Sequence, residues 1–501
     1  MGDHLPALIV VVPLLAGLCT PFLSRGDKAW FLATLTTWSV FAMTITLLIQ
    51  VNRMVNKPGN YGAFISYAMG NWKVPWGIEY RVDPANAFIL LIIAMISAIV
   101  TLYARLSVRD EIPGDRIHFF YSLWLLFLTG LLGITITGDV FNVYVLLEIS
   151  ALASYVLVAM GKYRHRKALS ASINYLVLGT IGASFFLIGV GYLYSVTGTL
   201  NMVDLADKVK SLHDNRTVIT ASVFLVIGLS IKMALFPLHG WLPNAHGHAP
   251  PIVSALLSAV AIKVSAYVMM RFLFSILGIT LSFEKLPTAP LLMFFASLAI
   301  LVGSYMAIQQ STLKRLLAYS SVAQIGYIAL GVALANERGL TGAFIHIFNH
   351  ALMKSGLFLV AGIVAYRFGG TELGQLRGLG RRMPFTMAAF TAGGLGLIGV
   401  PLTAGFISKW YLVMGALDKG LISLAFVILL GSVLAVIYVW RVVELIYLQS
   451  PLQPERPVQE GPWSLVLPTW ILIGASLYFG IDASLSSQLA HQAARTLLGV
   501  G

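Results

Sequence analysis

Runs of about twenty mostly apolar residues recur along the whole chain, each cut off by charges, Gly/Pro clusters or a short polar loop. A membrane-crossing α-helix needs about 20 such residues, and the cuts define fourteen candidate helices. They run over 5–23, 29–51, 84–106, 117–137, 140–160, 170–195 and 218–238, then over 252–278, 288–308, 315–335, 340–366, 384–412, 421–448 and 463–481. Tyr61 to Asp83 interrupts the series. Trp72, Pro75, Trp76 and Gly77 make that stretch too polar and broken to span, so it reads as an interfacial loop or hairpin with its aromatics at headgroup level. The pattern predicts an all-α integral membrane protein with almost no extramembrane domain.

Composition narrows the function. Of 501 residues, 58% are hydrophobic and 11% charged, against about 25% charged in soluble domains. The single cysteine, Cys19, excludes an internal disulfide, a Cys-rich zinc site and an iron–sulfur cluster. The formal charge of +13 is spread through loops and helices, with no basic domain to hold a duplex, so nucleic acid is not an expected partner. Odd-numbered loops carry seventeen Lys and Arg, among them Arg25, Lys162, Arg164, Lys314 and Arg456, and even-numbered loops carry ten. The positive-inside bias then puts the odd loops in the cytoplasm and both termini on the outer face of a cell membrane. Met1-Gly2-Asp3-His4-Leu5-Pro6 has no cationic n-region, which predicts a retained first helix rather than a cleaved signal peptide. Pro6 also spoils an N-myristoylation pattern.

Two short segments repeat. Tyr194-Ser-Val-Thr-Gly198-Thr199 ends the sixth helix as Tyr366-Arg-Phe-Gly-Gly370-Thr371 ends the eleventh, and Phe236-Pro237-Leu238 near the seventh is echoed by Val400-Pro401-Leu402 in the twelfth. Both pairs lie five helices apart. Five is odd, so two such repeats enter the membrane with opposite topology, and inverted repeats with interrupted helices in matching positions point to a transport site near the midplane. The chain divides into residues 1–116 (helices one to three and the interfacial loop), 117–279 (first repeat), 280–450 (second, inverted repeat) and 451–501 (helix fourteen and a short tail). Pro237 and Pro243 with Gly240 and Gly247, and Gly399, Pro401 and Gly405, break helices seven and twelve. Non-helical backbone at membrane depth survives only inside protein or beside water, so the breaks imply a hydrated interior.

Ionisable residues inside apolar helices carry the functional signal. Glu148, Lys232, Lys263 and Lys409 each stand in such a run, and His346, His350 and Lys354 are spaced by four along one side of the eleventh helix. A central Lys or Asp costs about 2.5–3.5 kcal/mol on insertion scales, so each needs a partner or water. Structural ion pairs and snorkelling lysines are the plain alternatives; for the set as a whole the reading is a proton relay. Desolvation and a nearby carboxylate act on a lysine in opposite directions, so a Lys–Glu pair that opens and closes switches its proton affinity. Glu148 is the natural partner of Lys232. Asp139, at a helix start, reads as a cap, and Glu444 as a local ion pair with Arg441.

Two features mislead. Gly394-Leu-Gly396-Leu-Ile-Gly399 matches G-x-G-x-x-G, but no strand precedes it and Pro401 follows, so it reads as small residues for close helix packing. His239, His246 and His248 lack a carboxylate or thiol to complete a metal site and read as gating or hydrogen-bonding groups around the broken helix. No Walker A motif is present, which argues against direct ATP coupling. No cofactor and no metal are expected.

Several motifs resemble one family across nearly the whole chain. They are Phe141-Asn-Val-Tyr-Val-Leu-Leu-Glu148, Lys232-Met-Ala-Leu-Phe-Pro-Leu-His-Gly-Trp-Leu-Pro243, Ala245-His-Gly-His-Ala-Pro-Pro251 through Lys263, Lys314-Arg-Leu-Leu-Ala-Tyr-Ser-Ser321, Phe348-Asn-His350-Ala-Leu-Met-Lys354 and Gly405-Phe-Ile-Ser-Lys409. They are similar to the antiporter-like subunits shared by complex I, membrane-bound hydrogenases and Mrp-type cation/proton antiporters, and most of all to the D-type Mrp subunits. The resemblance implies fourteen core helices in two inverted five-helix repeats, a Glu148–Lys232 pair, a central Lys263, histidines on helix eleven and a terminal proton site at Lys409. Some complex I relatives have Glu where this chain has Lys409. The largest also has a long lateral helix after helix fourteen, for which the roughly twenty residues here are too few. The implied function is a proton-translocating subunit of a multisubunit Na⁺/H⁺ antiporter. It would have no redox site of its own, with protons and Na⁺ as candidate substrates and other membrane subunits and lipid as partners. Pro237, His248 and Pro401 are the expected gating positions. The alternatives are the same relay driven by electron transfer in a complex I-like or hydrogenase assembly, and a scaffold whose charges only bind partner subunits.

Overall fold

The structure is a computed structural model describing residues 4–23, 26–57, 62–161, 165–451 and 458–500. Met1 to Asp3, Tyr61, and the loop cations Arg25, Lys162, Arg164 and Arg456 lie outside the described residues. The chain opens with α1 (Leu5–Cys19) and α2 (Gly26–Val55), followed by a hairpin of β1 (Ile65–Ala68) and β2 (Glu79–Val82), paired antiparallel from Ile65↔Val82 to Ala68↔Glu79. It continues with α3 (Pro84–Glu111), α4 (Ile117–Ile136), α5 (Val140–Ala159), α6 (His165–Thr197), α7 (Met202–Val209), α8 (Arg216–Lys232) and α9 (Trp241–His248). The eighth crossing, Pro251–Ile276, contains α10 (Pro251–Leu256) and α11 (Ile262–Met270), with π-helical turns at Leu257–Ala261 and Arg271–Ile276. Then come α12 (Thr288–Ile308), α13 (Leu313–Ala333), α14 (Glu337–Phe368), α15 (Pro384–Ile398), α16 (Ala404–Asp418), α17 (Ile422–Tyr447), α18 (Trp463–Ile481) and α19 (Ser484–Leu498).

Among the described residues, twelve helical segments are long and apolar enough to cross a membrane. The other two of the fourteen crossings are the pairs α8/α9 and α15/α16, the two broken helices. The predicted helix 218–238 stops early, at Lys232, because the chain turns at Ala234 (φ 57) before reaching Pro237. The second break turns through Gly399 (φ 83) and Leu402 (φ 70) around Pro401. A non-glycine residue in left-handed backbone is uncommon and costs energy, and each break contains one. The predicted interfacial segment is the β-hairpin, with Trp72 and Trp76 exposed.

The two repeats show matching backbone closures. Ahead of α5, Asp139 bridges to Asn201 beyond α6; ahead of α13, Thr312 bridges to Glu372 beyond α14. Val140 N–H donates to Leu200 O and Met202 N–H to Gly138 O; in the second repeat Leu313 N–H donates to Thr371 O and Leu373 N–H to Ser311 O. The same closure at equivalent helix ends is a structural signature of the repeat. At the centre lies α14, buried along its length from Gly339 to Ala365 and packed against α13, α16 and α18. Two short amphipathic helices went unpredicted: α7, stabilised by Lys208–Asp204 (2.9 Å) and Lys210–Asp207 (2.7 Å) pairs, and α19, which lies against α3 and α14.

Candidate functional site: a buried file of basic side chains

The first repeat holds an acid and a base at its break. Glu148, on α5, and Lys232, the last residue of α8, stand 3.5 Å apart, with side-chain exposures of 22% and 9%. That separation is charge contact without the close geometry of a strong hydrogen bond, which lies near 2.8 Å. Directly after the break, Trp241 donates its indole N–H to Ile231 O (2.9 Å) and stacks on Tyr175 at 4.3 Å. These contacts fix α9 against the end of α8. Between Lys232 and the eighth crossing lies a cavity of about 40 Å³, faced by Ser150, Ser154, Tyr175 and Ser265. A water needs about 10–15 Å³ on that measure, so the space suits about three.

Lys263 follows the first π-helical turn and donates to Ser258 O within it. The Ser258 hydroxyl meets that of Ser321 on α13 at 2.9 Å. On α14, Lys354 donates to Leu317 O (2.7 Å) and to the Ser320 hydroxyl. The spacing of four stacks the His346 and His350 rings 5.7 Å apart and nearly parallel. His346 Nδ1 meets the Ser408 hydroxyl at 2.9 Å, and Ser408 adjoins Lys409 on α16. Lys409 spans the second break: its ammonium donates to Leu397 O (3.1 Å), Ile398 O (2.8 Å) and the Ser432 hydroxyl (2.8 Å). It also lies 4.8 Å over the Tyr327 ring, which is 5.5 Å from His346. The free carbonyls at the end of α15 carry the negative end of a half-helix dipole, a natural seat for a cation.

The structure therefore brings Lys263, His346, His350, Lys354 and Lys409 into one electrostatically connected file, with the Glu148–Lys232 pair across the small cavity. Both ring nitrogens of His350, Nε2 of His346, Oδ1 of Asn349 and Oε1 of Gln324 are buried without a protein partner. Buried polar atoms are rarely left so, and four of these five belong to the stretch of α14 from His346 to His350. Pro237 and Pro401 sit at the two breaks. His248 stands apart from the file; its Nδ1 meets Asn244 O at 3.0 Å, and it lines a polar cavity of about 300 Å³ with Lys314, Thr312 and Glu372.

Some sequence expectations are corrected. Lys314 is no exposed loop cation: its side chain is buried and donates to Ala249 O. Arg441 donates to Ile308 O and Gln310 O, and Glu444 accepts from Gln449, so the two form no local ion pair. Asp139 caps α5, accepting from Asn142 N–H at 2.7 Å. The glycine triplet packs helices: a Cβ on Gly396 would meet Met353, and one on Gly394 would meet Val439. His246 is fully buried against Phe358, with neither ring nitrogen partnered. Sequence reasoning missed one buried pair, Asp83 with Arg271, joined by two 2.8 Å hydrogen bonds. Arg271 lies inside the apolar run 252–278 and meets the criterion that singled out Lys263. Its place near the run's end, however, suits a snorkelling side chain, and nothing local points to Asp83.

Residues 137–435 match the family model described as NADH:quinone oxidoreductase/Mrp antiporter, transmembrane. The chain belongs to that family. It is 42% identical over 479 residues to a protein of Desulforudis audaxviator named NADH-quinone oxidoreductase subunit N, covering 94% of this chain and 93% of that one. It is 29% identical to a Bacillus subtilis protein named as the D subunit of a Na⁺/H⁺ antiporter, over 98% and 96% of the two chains. Its fold matches a chain of the Mrp complex from Dietzia with a TM-score of 0.89 and 26% identity, covering 99% and 97%. The family and the membrane fold with two broken helices agree with the expectations drawn from the sequence.

Proposed function

We propose that this chain is the proton-translocating subunit of a multisubunit monovalent-cation/proton antiporter, working beside other membrane subunits. The supporting observation is the file itself: ionisable side chains separated by hydroxyls, rings and a small cavity, running from one helix break to the other. In this reading the Glu148–Lys232 pair is the switch. Lys263, His350, His346 and Lys354 pass the proton, and Lys409 is the terminal site. Pro237 and Pro401, at the breaks, and His248, in the polar cavity beside α9, gate access. The repeats are 117–279 and 280–450, the odd loops face the cytoplasm, and both termini face outward. The relatives named as Na⁺/H⁺ antiporter subunits support the antiport reading.

The test is ΔpH-driven cation exchange in vesicles carrying the whole complex. Glu148→Ala and Lys409→Ala each abolish exchange while the complex still assembles; normal exchange in either variant overturns the reading. The 42% relative named as a quinone oxidoreductase subunit favours a second reading, the same relay driven by electron transfer. Purification of the native complex separates the two. Cluster-bearing partner subunits select the redox-driven assembly, and a set of small membrane proteins selects the antiporter.

A further inference from the structure

On the face that carries the hairpin and α19, at the end of the crossing that holds Lys263, lies a cavity of about 460 Å³. It is walled by the end of β2, the outer end of the eighth crossing, α7 and the tail of α19. Three arginines line it: Arg81, Arg271 and Arg495. Two carboxylates also line it, and both are committed. Asp83 takes two bonds from Arg271, whose Nε also donates to Tyr267 (3.0 Å), and Asp207 is paired with Lys210 at 2.7 Å.

That leaves Arg81 and Arg495. Arg81 lies 3.6 Å over the Phe64 ring and, among the described residues, has no ion pair within 4.0 Å. Burial pushes its guanidinium below the ordinary arginine value, with Asp83 and Glu79 pulling upward and Arg271 downward; the carboxylates nearby do not compensate it fully. Among the described residues, Arg495 has no ion pair within 4.0 Å and makes a long 3.4 Å contact to Val500 O. Guanidinium forks match phosphate oxygens bidentately, and the volume falls in the range of small-molecule sites, about 300–1,000 Å³. Phe274 and Leu497 give the cavity an apolar wall. Trp72 and Trp76, 71% and 89% exposed on the hairpin, mark this level as the membrane interface.

We propose that this cavity binds a phosphate-bearing anion, in the membrane the headgroup of an anionic phospholipid, between Arg81 and Arg495. The phosphate ties the N-terminal hairpin to the C-terminal helix, so the lipid acts as a clasp between the two ends of the chain. The site is independent of the transport reading, and its test does not use transport.

The purified complex is titrated with phosphatidylglycerol, phosphatidylcholine and inorganic phosphate, with bound molecules counted by native mass spectrometry and thermal unfolding followed in parallel. Phosphatidylglycerol binds and raises the unfolding temperature, phosphatidylcholine does not, and Arg81→Gln with Arg495→Gln weakens binding about tenfold or more. Stabilisation by inorganic phosphate alone assigns the site to free phosphate. Equal binding of the two lipids by the unaltered complex overturns the proposal, as does undiminished phosphatidylglycerol binding by the double variant. Should the glutamine variant fail to fold, Arg81→Lys with Arg495→Lys keeps charge and loses the fork, and unchanged affinity there also overturns it.

Discussion

Lys409 shows how one side chain can hold structure and carry a proton, and how the two roles separate. Its ammonium caps Leu397 O and Ile398 O at the end of α15 and touches Ser432. A structural cap needs only the charge and the donors. A terminal proton site must also release its proton, which arginine does not do in proteins. Lys409→Arg is therefore expected to keep the unfolding temperature of the complex near that of the parent yet stop cation-driven proton exchange. Lys409→Met, which uncaps one buried and one part-buried carbonyl, is expected to lose exchange and about 1–3 kcal/mol of stability as well. Exchange at parental rate in the arginine variant, read by a pH-sensitive dye in vesicles, would refute the proton role. Ser408→Ala offers a milder contrast. It removes the partner of His346 Nδ1 and a 3.1 Å hydrogen bond to Gly405 O within the same helix, and the expected result is slowed exchange with little change in unfolding temperature.

The second broken helix depends on its halves approaching more closely than a side chain allows. A Cβ on Gly405 would fall 1.9 Å from Gly396 O, whereas one on Gly240, at the first break with φ −57, would meet nothing within 4 Å. Gly405→Ala is thus expected to force α15 and α16 apart, at a cost on the order of 1–3 kcal/mol, and to reduce exchange by moving Lys409. Gly240→Ala is expected to be neutral in both respects; equal effects in melting and exchange assays would show that the close approach is unimportant. At this scale much was legible from the sequence. Apolar runs of helix-spanning length fix the crossings, and Pro with Gly marks the two breaks, because hydrocarbon solvent tolerates so few alternatives. The spacing of four in His346, His350 and Lys354 likewise gave one side of α14. The end of α8 was not legible, since the chain leaves the helix before its proline. Nor were α7 and α19, whose short amphipathic patterns carry no long apolar run. Contacts between distant segments were beyond reach: Lys314 with Ala249 O, Ser408 with His346, and Asp83 with Arg271 depend on packing that no local pattern encodes.

Across the whole molecule, the N-terminal hairpin acts as a clamp on one end of the first repeat. Gly138 N–H donates to Glu79 O (2.8 Å), Asn201 donates to the Glu79 carboxylate (3.0 Å), and Asp83 holds Arg271 at the end of the crossing that carries Lys263. Asp83 also caps α3, accepting from Ala85 and Asn86 N–H. Burial pushes its carboxyl up, but Arg271, with smaller help from Asn86 and Arg81, outweighs burial and holds it below the usual carboxylate value. A carboxyl depressed in the folded state contributes stability that is complete above its unfolded value, about 3.9, and is lost as pH falls through the folded value. Arg271→Gln removes the main opposing influence and leaves burial dominant. The carboxyl then rises above its unfolded value, and its contribution changes sign: the variant is expected to be weakest near neutral pH and to recover as pH falls toward about 4. At neutral pH the loss of one partner of a buried pair should cost about 3–5 kcal/mol. Asp83→Asn with Arg271→Gln removes both charges, so the recovery on acidification should vanish. Melting curves of the purified complex from about pH 7 to pH 4 decide it: if the Arg271→Gln and parental curves shift in parallel, the pair does not clamp the repeat.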